Sequence, residues 1–169
     1  GQMLWVKKFG GTGSDRGIAI KTDANGDIIV CGYYFGTATF ANITLNAVGG
    51  SQDVFVAKID PNGNTIWVKS MGGNLTDIPS AVNIDNNNNI ILTGSFQGTA
   101  SFGASNFTSI TDPNSSLPSY DVFTTKLSSA GNFLWTRVGQ AKYNDRGLNV
   151  ATDNTGDVYV CGQFSDTIT

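Results

Sequence analysis

The thirteen carboxylate side chains of this 169-residue chain are all aspartates, and glutamate and histidine are absent. Without imidazole there is no Ser-His-Asp triad, no Cys-His nucleophile, no His-ligated zinc and no imidazole acid or base. Three chemistries stay open to the remaining residues: ligation of a hard cation, carboxylate acid–base catalysis and thiol chemistry. The first is suggested by Asp23-Ala24-Asn25-Gly26-Asp27, where Asp23, Asn25 and Asp27 alternate as at the start of a calcium loop. The second would draw on Asp15, Asp77 and Asp145, and the third on Cys31 and Cys161.

The spacing of these residues decides how each is read. Trp5, Trp67 and Trp135 stand 62 and 68 residues apart, in LWVKKFGG, IWVKSMGG and LWTRVGQ. In each case an Asp follows ten residues later (Asp15, Asp77, Asp145), another at eighteen (Asp23, Asp85, Asp153) and a Gly at twenty-seven (Gly32, Gly94, Gly162). DVFVAKID at 53–60 returns as DVFTTKLS at 121–128. The chain is therefore an internal repeat, divided as 1–62, 63–130 and 131–169, with the third copy incomplete.

Seen through the repeat, the calcium-like phrase becomes punctuation. It recurs as Asp23–Gly26, Asp60–Gly63, Asp85–Asn88, Ser128–Gly131 and Asp153–Gly156, always between two apolar runs. The first residue offers a side-chain oxygen to backbone N–H groups, which Ser128 does as well as Asp. The fourth must tolerate positive φ, as Gly does and Asn88 does next best. A four-residue hairpin turn around a type I bend is the expectation. A calcium loop of the EF-hand kind needs Gly at its sixth position and Glu at its twelfth. Here Gly26 is fourth and Tyr34 twelfth. Calcium is kept only at an inter-blade contact, and no other cofactor is expected.

The other candidates divide in the same way. Asp15, Asp77 and Asp145 occur once per repeat and so have like environments, whereas acid–base pairs need unlike ones. They are expected to tie the chain to the innermost strands. Arg16 and Arg146 share the sequence DRG, with Ile78 between them in the second repeat, and are expected as paired surface charge. Cys31 and Cys161 fall at one repeat position in the first and third repeats with a whole repeat between them, too far for a disulfide, and are expected as two free, buried thiols. Tyr33, Tyr34 and Phe35 could stack on sugars, but their strand position favours core packing. The second repeat carries six extra residues, and its 103–120 stretch holds the candidate recognition loop of Asp112, Pro113, Asn114, Pro118 and Tyr120. Sequons stand at Asn42, Asn74, Asn106 and Asn114, and Asp166–Ile168 resembles a short O-glycan acceptor.

The elements that must hold these residues are strands. A chain with 21 Gly, no Glu and abundant Asn and Thr is biased against helix. Each repeat reads as four main strands, in the first copy near 17–22, 28–34, 54–59 and 65–70, with a short hairpin between the second and third. Ile28, Ile29, Val30 and Cys31 are apolar without a break, so the sheet needs cover on both faces. That describes β-propeller blades, about two and a half of them, in an open or partial propeller; a solenoid or duplicated sandwich is the alternative. Since rings use about 4–8 blades, the partners expected are the remainder of a longer propeller chain or further copies, with the ending in mid-repeat favouring the former. Net charge −3 argues against nucleic acid, and no apolar run approaches the roughly 20 residues of a membrane span.

The phrases G-x-x-x-W, D-x-G-x-A-x-x-x-D-x-x-G-D-x-x-V-x-G and D-V-F-V-A-K-x-D-x-x-G-N resemble the bacterial SBBP (seven-bladed β-propeller) repeat. The resemblance is carried by Gly1, Trp5, Asp15, Gly17, Ala19, Asp23, Gly26, Gly32, Phe40, Asp53, Phe55, Lys58, Asp60 and Gly63, and it runs through essentially the whole chain. The second repeat departs from it at Pro79-Ser80 and Asn88. It implies a large secreted or surface-attached protein of Bacteroidetes-type bacteria. The expected function is a non-catalytic scaffold, adhesion or ligand-binding module outside the cell or on its surface, with a protein or glycan partner. The alternative is a polysaccharide hydrolase or lyase using Asp and Tyr in a completed propeller.

Overall fold

The computed structural model describes residues 1–112 and 114–165. In chain order, β1 (Gly10–Gly11) leads to β2 (Arg16–Thr22) and β3 (Ile28–Phe35), then to a short hairpin of β4 (Thr37–Phe40) and β5 (Ile43–Asn46). β6 (Gln52–Ile59) and β7 (Thr65–Gly73) follow. The order returns as β8 (Ile78–Ile84), β9 (Ile90–Gln97), a hairpin of β10 (Thr99–Phe102) and β11 (Ser105–Thr108), then β12 (Tyr120–Leu127) and β13 (Phe133–Gly139). A third round begins with β14 (Arg146–Thr152) and β15 (Val158–Gln163). No helix occurs among the described residues.

Each complete round is a four-stranded antiparallel blade, β2-β3-β6-β7 and then β8-β9-β12-β13, and β14-β15 start a third. The first strands are neighbours, with β8 packed against β2 on one side and β14 on the other. The described residues thus form part of a propeller, in which the second blade is covered on both faces as its apolar strands required. A register shift recurs in the first hairpin of every round, at Gly17/Ala19, Pro79/Ala81 and Gly147/Asn149. A second recurs at Lys58/Ile59 and Lys126/Leu127, and turns Ile66 and Leu134 out to solvent.

The short hairpins do something the sequence did not foretell. β10 pairs with β11 and also with the end of β7, the outermost strand of the blade before, and β4 pairs in the same way with β1. Each hairpin therefore clasps the preceding fourth strand. The clasp explains the paired glycines after the first two tryptophans: a Cβ on Gly11 or Gly73 would run into the carbonyl oxygen of Thr37 or Thr99. At the corresponding place the third repeat has Gln140-Ala141, and the Gln140 amide donates to Thr108 O and to Asp121.

Cores form between blades. Ile29, Cys31, Val54 and Val56 of the first blade meet Val82, Ile90, Leu92 and Phe96 of the second, with Phe102 and Phe123 alongside. Tyr34, Phe40, Phe55, Ala57 and Val68 make a second cluster with Phe9, and Ala81, Ile91 and Val150 a third between the second and third rounds. Along β9 alternate residues face the first blade and the third round, so both sets are apolar, and β3 and β15 carry the same pattern.

Candidate functional site

The five turns share one construction. The first residue's side-chain oxygen accepts backbone N–H groups: Asp23 Oδ1 from Asn25 and Asp27, Asp85 Oδ1 from Asn87 and Asn89, Asp153 Oδ1 from Thr155 and Asp157, and Ser128 Oγ from Asn132. Asp60 Oδ1 does the same for Asn62 and Asn64. Gly26, Gly63, Asn88, Gly131 and Gly156 all have positive φ. The loop closes one residue further round than a four-residue turn, because the Asp23 N–H donates to Asp27 O as well as the Gly26 N–H to Asp23 O. That is a type I bend followed by a left-handed residue, the three-residue hairpin with a glycine bulge. Gly63 and Gly131 have a second reason to lack a side chain, since Trp5 of the N-terminal segment and Trp67 of β7 lie 3.0 Å from where a Cβ would sit. The indole N–H groups of the same tryptophans donate to Pro61 O and Ser129 O.

The other carboxylate oxygen of two of these turns meets a lysine. Lys58 Nζ lies 2.8 Å from Asp23 Oδ2 and 3.1 Å from Asp27 Oδ2, and Lys126 Nζ lies 2.8 Å from Asp85 Oδ2. The ammonium sits where DANGD would hold its cation. Burial pushes Asp23 toward the neutral form, but the Lys58 hydrogen bond and the N–H groups of Asn25 and Asp27 outweigh it and hold the carboxyl below its ordinary range. Asp85 is governed alike, with Lys126 and Asn89 outweighing its burial. Lys58 is one of the residues of the repeat motif, but its pairing with the turn, and that of Lys126, was not expected. Their signal was the Lys five residues after Asp in both DVFVAK and DVFTTK.

Asp15, Asp77 and Asp145 are not gathered into one site. Each stands just before the first strand of its own blade, and Asp15 and Asp77 each tie two backbone segments together, whereas Asp145 holds one and its Oδ2 is buried without a partner. Asp77 accepts from Gly73 N and Gln97 N, Asp15 from Gly11 N and Phe35 N, and Asp145 from Ser165 N. Across the blade boundary Asp77 meets Asp53, and Asp145 lies close enough to Asp121 to be felt electrostatically. Asp53 and Asp77 both lie against Gly72, whose Cβ would sit 2.7 Å from Asp77 Oδ2 and 2.9 Å from Asp53 Oδ1. Burial, with Asp53's charge adding to it, pushes Asp77 up to about 8. Burial raises Asp53 to about 6, against the hydrogen bond from Val48 N. These are unlike carboxylates, as acid–base catalysis needs, but they are packed against each other, with Asp53 1% and Asp77 0% exposed. Among the described residues no three acidic or cysteine side chains converge as a metal-binding group.

The remaining candidates scatter. Cys31 is buried, its thiol pushed up to about 12 by burial, but Cys161 is exposed, against the expectation of two buried thiols. The reason is the alternation along the second strand. Cys31 faces the second blade, and Cys161 faces away from it, where the described residues add no further blade. Tyr34 is fully buried and bonded to Ser70 Oγ at 2.6 Å, while Phe35 is 43% exposed. Neither Arg16 nor Arg146 forms a salt bridge among the described residues; the Arg146 guanidinium lies over the Tyr120 ring, 5.5 Å from its centroid. In the recognition loop, Asp112 Oδ1 caps Asn114 N at an exposed tip, and Thr111 bridges to Pro118. Gln97 donates to Pro118 O, pinning the base, and Tyr120 is already the first residue of β12. Pro113 and Asp166–Ile168 lie outside the described residues.

No family model matches the chain. It is 27% identical to an uncharacterized WD repeat-containing protein of Acanthamoeba polyphaga mimivirus, in an alignment that covers 96% of this chain and 13% of that protein. The chain thus spans about an eighth of the length of this relative. WD repeats are β-propeller repeats, so this distant likeness and the blades agree in kind: the chain is a propeller-forming repeat protein.

Proposed function

We propose that the chain is a non-catalytic propeller module that presents blade edges and loops to a protein or glycan partner, as a scaffold or adhesion surface of a secreted or cell-surface protein. The observation that carries the reading is what happens to the repeated carboxylates. In the turns and between the blades they are taken up by backbone N–H groups, by lysine or by burial, while the tip of the variable loop, residues 114–117, stays exposed. The finer likeness to the SBBP repeat, and the extracellular bacterial setting it implies, rest on the motif residues alone. Glycan-array and surface-binding measurements on the chain, with a variant whose 109–118 loop is replaced by a short Gly-Ser turn, test the reading. Loop-dependent binding is expected. Turnover of a polysaccharide, abolished by one Asp→Asn change, would overturn it.

A further inference from the structure

In the first two blades the second strand is paired along both edges, β3 by β2 and β6, β9 by β8 and β12. Among the described residues β15 is paired along one edge, by β14. Its side chains nonetheless match those of its counterparts. Tyr159 stands where Ile29 and Ile91 stand, and Phe164 where Tyr34 and Phe96 stand. The four counterparts are all 0% exposed, against 58% for Tyr159 and 45% for Phe164.

We propose that this edge binds a β-strand of the third-strand type, carrying Val-Phe-x-x-Lys, antiparallel to β15 and with its lysine opposite Tyr159. This deepens the propeller reading and rests on it. Three features on β15 and its turn recognise such a strand. The first is charge: Lys58 and Lys126 stand opposite Ile29 and Ile91 and close on the turn aspartates, whereas Asp153 and Asp157 make no salt bridge among the described residues. Asp153 Oδ2, the oxygen corresponding to the lysine acceptors, takes the Tyr159 hydroxyl at 3.0 Å. A carboxylate oxygen has room for a second donor. The second feature is Gly162. Phe55 and Phe123 lie across from its counterparts Gly32 and Gly94, 2.7 and 2.8 Å from where a Cβ would be, and Gly162 keeps that flat seat clear of any ring. The third is the row of unpaired backbone groups along the edge itself.

A second copy of the chain fits less well. Its two third strands, β6 and β12, are each paired on both sides. Its exposed N-terminal segment around Met3, Leu4 and Val6 carries the tryptophan pattern of a fourth strand, without the Val-Phe-x-x-Lys order.

The test is a fluorescein-labelled peptide with the sequence of residues 120–139, a third-and-fourth-strand hairpin, titrated against the chain by anisotropy. Saturable binding is expected, weakened about tenfold or more when the peptide's lysine (Lys126 in this numbering) is Met. The Lys126→Met penalty should shrink when the chain carries Asp153→Asn, since the two changes remove one interaction. Absence of saturable binding up to about 1 mM, an equal affinity for the Met peptide, or a dimer that the peptide does not dissociate would each overturn the proposal. Amide exchange on the chain separates the two levels. Protection over β9 and β12 together with any of those outcomes sinks the edge proposal and leaves the blades standing, whereas exchange there at unfolded rates sinks both.

Discussion

β9 and β15 occupy the same place in successive rounds, yet all eight residues of β9 are buried and those of β15 alternate between half-buried and exposed. Both strands have Gly at the fifth position and an aromatic two residues further on, Phe96 and Phe164. What differs is the surroundings. β9 has strands on both edges and blades on both faces, and among the described residues β15 has one edge paired and one face covered. In a repeat protein the apolar content of a strand reports the neighbours the motif is made for, and burial reports the neighbours it has.

The largest test of this contrast removes the same position from both strands. Ile91→Ala is expected to cost about 3 kcal/mol in urea unfolding, because Ile91 is 0% exposed between two blades. Tyr159→Ala should move the midpoint little. Equal losses would mean that the third round is as well packed as the second. Next come the charges. Lys126→Met strands Asp85, whose side chain is 2% exposed, and is expected to cost about 2–3 kcal/mol. Asp153→Asn in the third round should leave the unfolding curve nearly unchanged.

The glycines of the turns give a smaller contrast. Gly156→Ala meets only the left-handed backbone, since nothing lies within 4 Å of its Cβ, and should cost about 1 kcal/mol. Gly131→Ala must also displace Trp67, and about 2 kcal/mol is expected. Matching costs would show that the tryptophan contact contributes nothing.

The buried pair between the first two blades gives a pH signature. Asp53 and Asp77 have folded pKa values raised to about 6 and about 8, so the stability of their protonated forms is full below pH ~4 and is lost as pH rises through both values. Asp53→Asn keeps an oxygen for Val48 N and turns an amide N–H toward Asp77. The variant should melt about 2–4 °C higher than the parent at pH 8 and no higher at pH 4. A parent whose melting temperature does not fall between pH 5 and 9 would contradict the raised values. Smallest in energy is a labelling contrast: a thiol reagent should modify Cys161 in the native chain and reach Cys31 only on unfolding.

The strands were legible because period-two patterning and turn residues act locally. The expected strand near 28–34 is Ile28–Phe35, and that near 65–70 is Thr65–Gly73, longer because its last two glycines pair with β10. That pairing was not legible, since it joins residues of successive rounds and leaves only a doubled glycine as its trace. Lys58 likewise was legible as a residue of the repeat motif but not as a partner, because its ammonium answers Asp23 from 35 positions away.

By itself the sequence determined the period, the strands and the places of the five turns, because hydrogen bonds and steric limits within a few residues dictate them, though not the extra residue by which the turns close. It also determined that both faces of each sheet want cover. Only the tertiary structure decided which carboxylates meet a lysine and which meet another carboxylate, and which of two equivalent cysteines is open to solvent. Those outcomes depend on what stands on the far side of a strand, and desolvation and ion pairing follow that neighbour, not the residue's place in the repeat.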